Sequence, residues 1–151
     1  MLVKENILNF FKSGKLEHIP FGTELDDLVS QLGPAECTIS ISQKDTRLSM
    51  VKYDRMEFYF SYEEPQILRG VQVTCSQACE SFMLTVDYAG IDRSARYKEV
   101  IGILESNKIP FRESYSSANL SSQVIMTETG ISFFFSEGGL IEKYGRFLQG
   151  L

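Results

Sequence analysis

Few side chains in this sequence are of the kinds that do chemistry. His18 is the only histidine. A serine or cysteine nucleophile needs such a base, held in turn by a third group. His18 precedes the apolar run Ile19-Pro20-Phe21 and stands far in sequence from any nucleophile, so it reads as a structural or surface residue. Cys75 and Cys79 have a Cys-x-x-x-Cys spacing that could open a metal site. Zinc sites draw four ligands from paired positions, and this chain adds only Cys37 and His18, neither of them paired. The carboxylate pairs Asp26-Asp27 and Glu63-Glu64 could serve glycosidic hydrolysis if a cleft held them at the right separation. The first pair suits a helix N-terminus and the second a turn beside Pro65. Gly138-Gly139 reads as a turn rather than a phosphate loop. The reading therefore assigns no catalytic residue, no metal and no cofactor.

Two aromatic runs remain, Phe58-Tyr59-Phe60 and Phe133-Phe134-Phe135. Sheet-based RNA binders stack bases on such runs amid basic residues, which are scarce here. Alternation along a strand sends Phe58 and its like inward and leaves Tyr59 and Phe134 outward. An uncovered outer face would then carry an aromatic patch of the sort that marks partner surfaces, with Tyr53, Tyr62 and Tyr88 as further members. The N-terminal helix is the element that could instead cover it.

The elements that would position these residues follow from periodicity. Val3 to Lys12 has helical spacing and ends at Gly14. Thr23 and Asp26 stand in capping-box positions ahead of Leu25, Leu28, Val29 and Leu32, and Gly33-Pro34 stops that helix. Strands are expected over 38–42, 48–53, 56–60 and 68–74, joined as antiparallel hairpins. Residues 75–81 read as a linker. A further strand at 82–86 precedes a helix capped by Asp92 or Ser94 that runs to about Asn107, with Tyr97, Val100, Ile101 and Leu104 inward. Ser114 to Asn119 reads as a polar loop, 123–127 and 131–136 as a hairpin, and 140–148 as a final strand or short helix.

The halves match. Met56-Glu57-Phe58-Tyr59-Phe60-Ser61 returns 75 residues later as Ile131-Ser132-Phe133-Phe134-Phe135-Ser136. Leu25, Leu28, Val29 and Leu32 return 72 residues later as Tyr97, Val100, Ile101 and Leu104, and Gly70 returns as Gly145. Such self-similarity points to a duplicated unit. The expected fold is α+β: a tandem repeat of a helix plus antiparallel strands, with helices packed on one sheet face. One globular unit would span 1–151, with an N-terminal helix over 1–14 and repeats over 15–75 and 81–151.

Composition bounds the rest. The chain has 151 residues, 43% of them hydrophobic, enough for a real core, and a net charge of -5. That charge argues against binding a phosphate backbone and suits a basic protein partner. The start lacks a secretory pattern and no apolar run is long enough to span a membrane. Three cysteines fit a reduced, cytoplasmic protein.

The pattern Phe21-Gly22-Thr23, Asp26-Asp27-Leu28 and Leu32-Gly33-Pro34, followed by Tyr53-Asp54-Arg55-Met56-Glu57-Phe58-Tyr59-Phe60, resembles small bacterial immunity proteins, which neutralise toxins. The tandem helix-plus-four-strand layout is similar to that of the beta-lactamase inhibitor proteins. The resemblance implies a non-enzymatic protein that binds a toxin or enzyme and occludes its surface. Expected contacts are Asp54, Glu57, Tyr59, Tyr62 and Phe134, on an acidic, aromatic sheet face meeting a basic partner. The alternatives are a small-ligand-binding domain with its pocket between the repeats and, less favoured, an enzyme.

Overall fold

The computed structural model describes residues 2–75, 77–115 and 123–149. Its elements are β1 (Val3–Asn6), α1 (Ile7–Ser13), α2 (Leu25–Leu32), β2 (Cys37–Ser40), β3 (Leu48–Tyr53), β4 (Met56–Phe60), β5 (Leu68–Thr74), β6 (Leu84–Asp87), α3 (Tyr97–Ser106), β7 (Phe111–Tyr115), β8 (Gln123–Thr127), β9 (Ser132–Phe135) and β10 (Ile141–Phe147). The class is α+β. Eight strands form an antiparallel sheet in the order β2-β3-β4-β5-β10-β9-β8-β7, and β1 and β6 form a separate parallel pair.

Alternation decides what each strand buries. Met56, Phe58 and Phe60 are buried on β4, while Glu57 and Tyr59 between them are half-buried. On β9, Phe133 and Phe135 are buried and Phe134 is half-buried. Helical spacing does the same for α2, which buries Leu28 and Leu32, and for α3, which buries Val100 and Leu104. These residues, with Ile7, Phe10 and Phe11 of α1, belong to one core cluster. Phe11 packs edge-on against Phe133 and Tyr144, and Tyr97 of α3 against Phe135.

Each long helix is tied to the sheet by corresponding bonds. Leu25 N donates to Gln66 O at 3.0 Å and Leu68 N to Thr23 O at 2.8 Å. In the second half Tyr97 N donates to Gly139 O at 3.0 Å and Ile141 N to Ala95 O at 2.9 Å. Ser61 Oγ accepts from Ile67 N at 3.0 Å, and Ser136 Oγ from Leu140 N at 3.2 Å. The halves meet where β5 pairs with β10, and there Val71 stands opposite Arg146, the residue 75 places after it.

Several sequence expectations need correction. The N-terminal helix does not start at Val3. Residues 3–6 pair in parallel with β6, Val3 opposite Leu84, and Asn6 caps α1 by accepting from Leu8 N at 2.9 Å. Thr23 forms no capping box: its hydroxyl donates to Pro20 O at 2.6 Å, and Glu24 is the N-cap. The α3 start is instead steadied by Arg96 N donating to Glu99 Oε1 at 3.3 Å, with Asp92 accepting from Ser94 N at 2.8 Å just before it. Residues 114 and 115 belong to strand β7, and the remainder of the predicted polar loop, 116–119, lies outside the described residues. Phe82 is exposed and precedes β6, which starts at Leu84. The last element is strand throughout 141–147.

The cysteines are not three free thiols. Cys37 is bonded to Cys79, and Cys75 is the free, buried one. The bond joins the edge strand β2 to the connection that follows β5, where Cys79 and Asp54 exchange two backbone hydrogen bonds of 2.7 Å.

Candidate functional site

Directly opposed residues in an antiparallel sheet share a face. On the face away from the core, one row runs across every strand: Cys37, Lys52, Glu57, Gln72, Gly145, Ser132, Met126 and Arg112. A second row is Ile39, Met50, Tyr59, Gly70 and Phe147, and a third is Thr74, Lys143, Phe134, Val124 and Ser114. The α1 helix does not cover this face, because Phe10 and Phe11 point into the core.

A groove of about 530 Å³ lies here, lined by Gln72, Met126, Ser132, Phe134, Lys143, Gly145 and Phe147 among others. Glycine makes its floor. A Cβ on Gly145 would collide with the Val71 carbonyl oxygen and stand 2.7 Å from Gln72 Cα. Gly70, its counterpart, leaves space that the Phe147 ring occupies.

Glu57 is the polar centre of the first half of this face. It accepts from the Tyr59 hydroxyl and from Gln72 Nε2, both at 2.8 Å, and faces Lys52 Nζ at 3.9 Å. Lys52 in turn donates to Thr74 Oγ1 at 2.9 Å. Burial, with the Glu57 carboxylate next to it, pushes the Tyr59 phenol well above its usual range. Tyr59 packs on Phe147, ring centroids 5.1 Å apart. Lys143 Nζ lies 5.5 Å from the centroid of the Phe134 ring.

Of the sequence-predicted contacts, Glu57, Tyr59 and Phe134 share this face. Tyr59 and Phe134 are not neighbours, because three strand steps of about 4.8 Å separate them. The aromatic neighbour of Tyr59 is Phe147, 51% exposed, which sequence reasoning missed because it left residues 140–148 undecided between strand and helix. Tyr62 is exposed in the β4–β5 connection, and Asp54 sits in the β3–β4 turn with a positive φ of 54°. Two further expected members of the patch belong elsewhere. Tyr53 is a core residue whose hydroxyl donates to Gly33 O at 2.5 Å, and Tyr88 packs under Arg55, 4.3 Å from guanidinium carbon to ring centroid.

The face is not acidic. Its three rows carry Lys52, Arg112 and Lys143 against Glu57 alone. Several acids sit at helix starts and turns, as Asp26 and Asp27 in the first turn of α2, where the helix dipole favours them, and Asp45 and Glu64 paired with Arg47.

The remaining polar cluster lies under the sheet. Arg55 Nη2 donates to Ile91 O at 2.9 Å and approaches Cys75 Sγ at 3.4 Å. Burial raises the Cys75 thiol pKa, so at neutral pH it is a protonated thiol out of solvent's reach, the opposite of an activated nucleophile. His18 is exposed and lies 3.4 Å from the buried Glu5 carboxylate, which also accepts from Glu17 N and His18 N at 2.9 and 2.8 Å. Among the described residues no three His, Cys, Asp or Glu side chains are grouped to hold a metal ion. The core side of the seam between the halves is filled by Val71, Val73 and Tyr144. No family model matches the chain, and neither a curated protein nor a solved structure matches it.

Proposed function

We propose that the chain is a duplicated helix-plus-four-strand module, its helices on one face of the joint sheet, and that it works as a non-enzymatic protein-binding module. It would act in the manner of an immunity or inhibitor protein, occluding the surface of a toxin or enzyme with the opposite face. Support for the duplication comes from the matched hydrogen bonds at Ser61 and Ser136 and at the two helix starts. The pairing of Gln72 with Gly145, 73 places apart like the matched bonds of Leu68 and Ile141, is the register expected of two copies meeting at the centre of the sheet. The halves also share a register: Phe58 pairs with Val71 and Phe133 with Tyr144, each beside a one-residue shift, after Tyr59 in the first half and between Ile141 and Lys143 in the second.

The observation that carries the docking reading is the aromatic, grooved outer face, with the Tyr59–Phe147 pair and Phe134 presented away from the core. Aromatic residues around a half-buried polar centre are the composition of interface hot spots. The protein encoded beside this one is the first partner to try, by pull-down with the native chain and with a Tyr59→Ala/Phe147→Ala variant of unchanged fold. Capture by the native chain and loss in the variant is the expected result; equal capture by both would remove this face from the account. A small ligand is the weaker reading, since the groove lies open along the sheet and the core side of the seam is filled.

The Cys37–Cys79 bond favours an oxidising compartment over the reducing cytoplasm, where such bonds rarely persist. No described helix is long and apolar enough to cross a membrane.

A further inference from the structure

We infer that the groove on the outer face takes an acidic segment of a protein partner, an apolar side chain seated among Phe134, Met126 and Phe147 and a carboxylate next to Lys143. The inference rests on the docking reading and reverses the partner charge that the net charge of -5 would suggest. Charge complementarity carries it. The residues lining the groove include two cations, Lys143 and Arg146, and no anion. Arg146 is committed, with Nη1 donating to Gly14 O at 2.7 Å and the guanidinium over the Phe21 ring. Lys143 is exposed and has no ion pair among the described residues. The acid of the neighbouring row, Glu57, is already held by Lys52, Tyr59 and Gln72, and Glu142 does not line the groove. A cation that sits beside apolar rings, with no ion pair among the described residues, is a site for a carboxylate that arrives with an apolar neighbour.

The groove selects a protein segment over a nucleic acid, because among the described residues it offers one lysine without an ion pair and not the basic stripe that phosphate backbones need.

The test uses three probes in amide-resolved NMR titrations of the full chain: the peptide acetyl-Glu-Phe-Glu-Phe-Glu-amide, the same peptide with Lys for Glu, and a thymidine hexanucleotide. The acidic peptide is expected to shift the amides of Gly130, Ser132 and Gly145, and a Lys143→Glu variant, exposed and therefore safe for folding, to weaken it about tenfold. Three results would overturn the inference: equal or stronger shifts with the basic peptide, equal shifts with the oligonucleotide, or no shift at these amides with any probe. None of these touches the docking reading, which stands or falls with the Tyr59→Ala/Phe147→Ala pull-down.

Discussion

Breaking the Cys37–Cys79 bond should cost this protein much of its stability. The bond closes a loop with a sequence separation of 42 that contains β2, β3, β4 and β5. Loop-closure entropy for that length is worth about 4 kcal/mol at 25 °C, a large part of the roughly 5–15 kcal/mol that holds an ordinary domain folded. The local cost should fall first on β2. It is an edge strand, its residues are mostly exposed, and β3 is its one sheet neighbour. Urea unfolding of the oxidised chain, the chain with reductant, and a Cys37→Ser/Cys79→Ser variant measures the effect. With a slope of about 2 kcal/mol per molar urea, the midpoint should fall by about 2 M. Hydrogen exchange should quicken first at 37–41. Thiol counting in non-reducing urea should find one reactive cysteine, Cys75, which stays slow to alkylate in the native state because it is buried and its pKa is raised. Three reactive thiols in the unfolded oxidised sample, or a midpoint indifferent to reductant, would refute the reasoning.

Other perturbations read different parts of the structure. Gly145→Ala sets a methyl against β5 backbone that cannot retreat and should cost about 3 kcal/mol, whereas Gly70→Ala meets only the Phe147 ring, which can swing away; equal losses in thermal unfolding would contradict this ordering. Glu5→Ala removes the acceptor for Glu17 N and His18 N and should cost about 1–3 kcal/mol, and a change below a few tenths would mean that water replaces the carboxylate. Burial pushes the Tyr53 phenol up to about 12 from an ordinary 10. The folded state therefore holds that proton more tightly, and the stability it confers is complete below pH 10 and lost as the pH rises towards 12. Absorbance at 295 nm should show Tyr53 ionising late in the native chain, and a Tyr53→Phe variant should lack that phase; a native Tyr53 titrating near pH 10 would be the opposing result.

The parts legible in the sequence were those set by local periodicity. Leu28 with Leu32 and Val100 with Leu104 reveal two helices because a 3.6-residue repeat needs no distant partner. Alternation in 56–60 and 132–135 reveals which residues face the core. Elements that exist because of distant partners were not legible. Residues 3–6 are a strand only because residues 84–87 lie alongside them. Thr23 gives up its cap because Gln66 O supplies the acceptor for the first helical N–H. Residues 111–115 form an edge strand with little burial, so alternation leaves no mark on them. The cysteine pairing could not be read from spacing, since three cysteines allow three pairings. At the candidate site, Tyr59 and Phe134 were visible by alternation. Phe147 and the sign of the charge were not, because both depend on which strands become neighbours.

The docking account is tested most directly by hydrogen exchange on the chain with and without its bound protein partner. Protection should appear in 56–60, 132–135 and 143–147, the strands that present Tyr59, Phe134 and Phe147. Protection confined to α1, α2 and α3, with those strands unchanged, would contradict it.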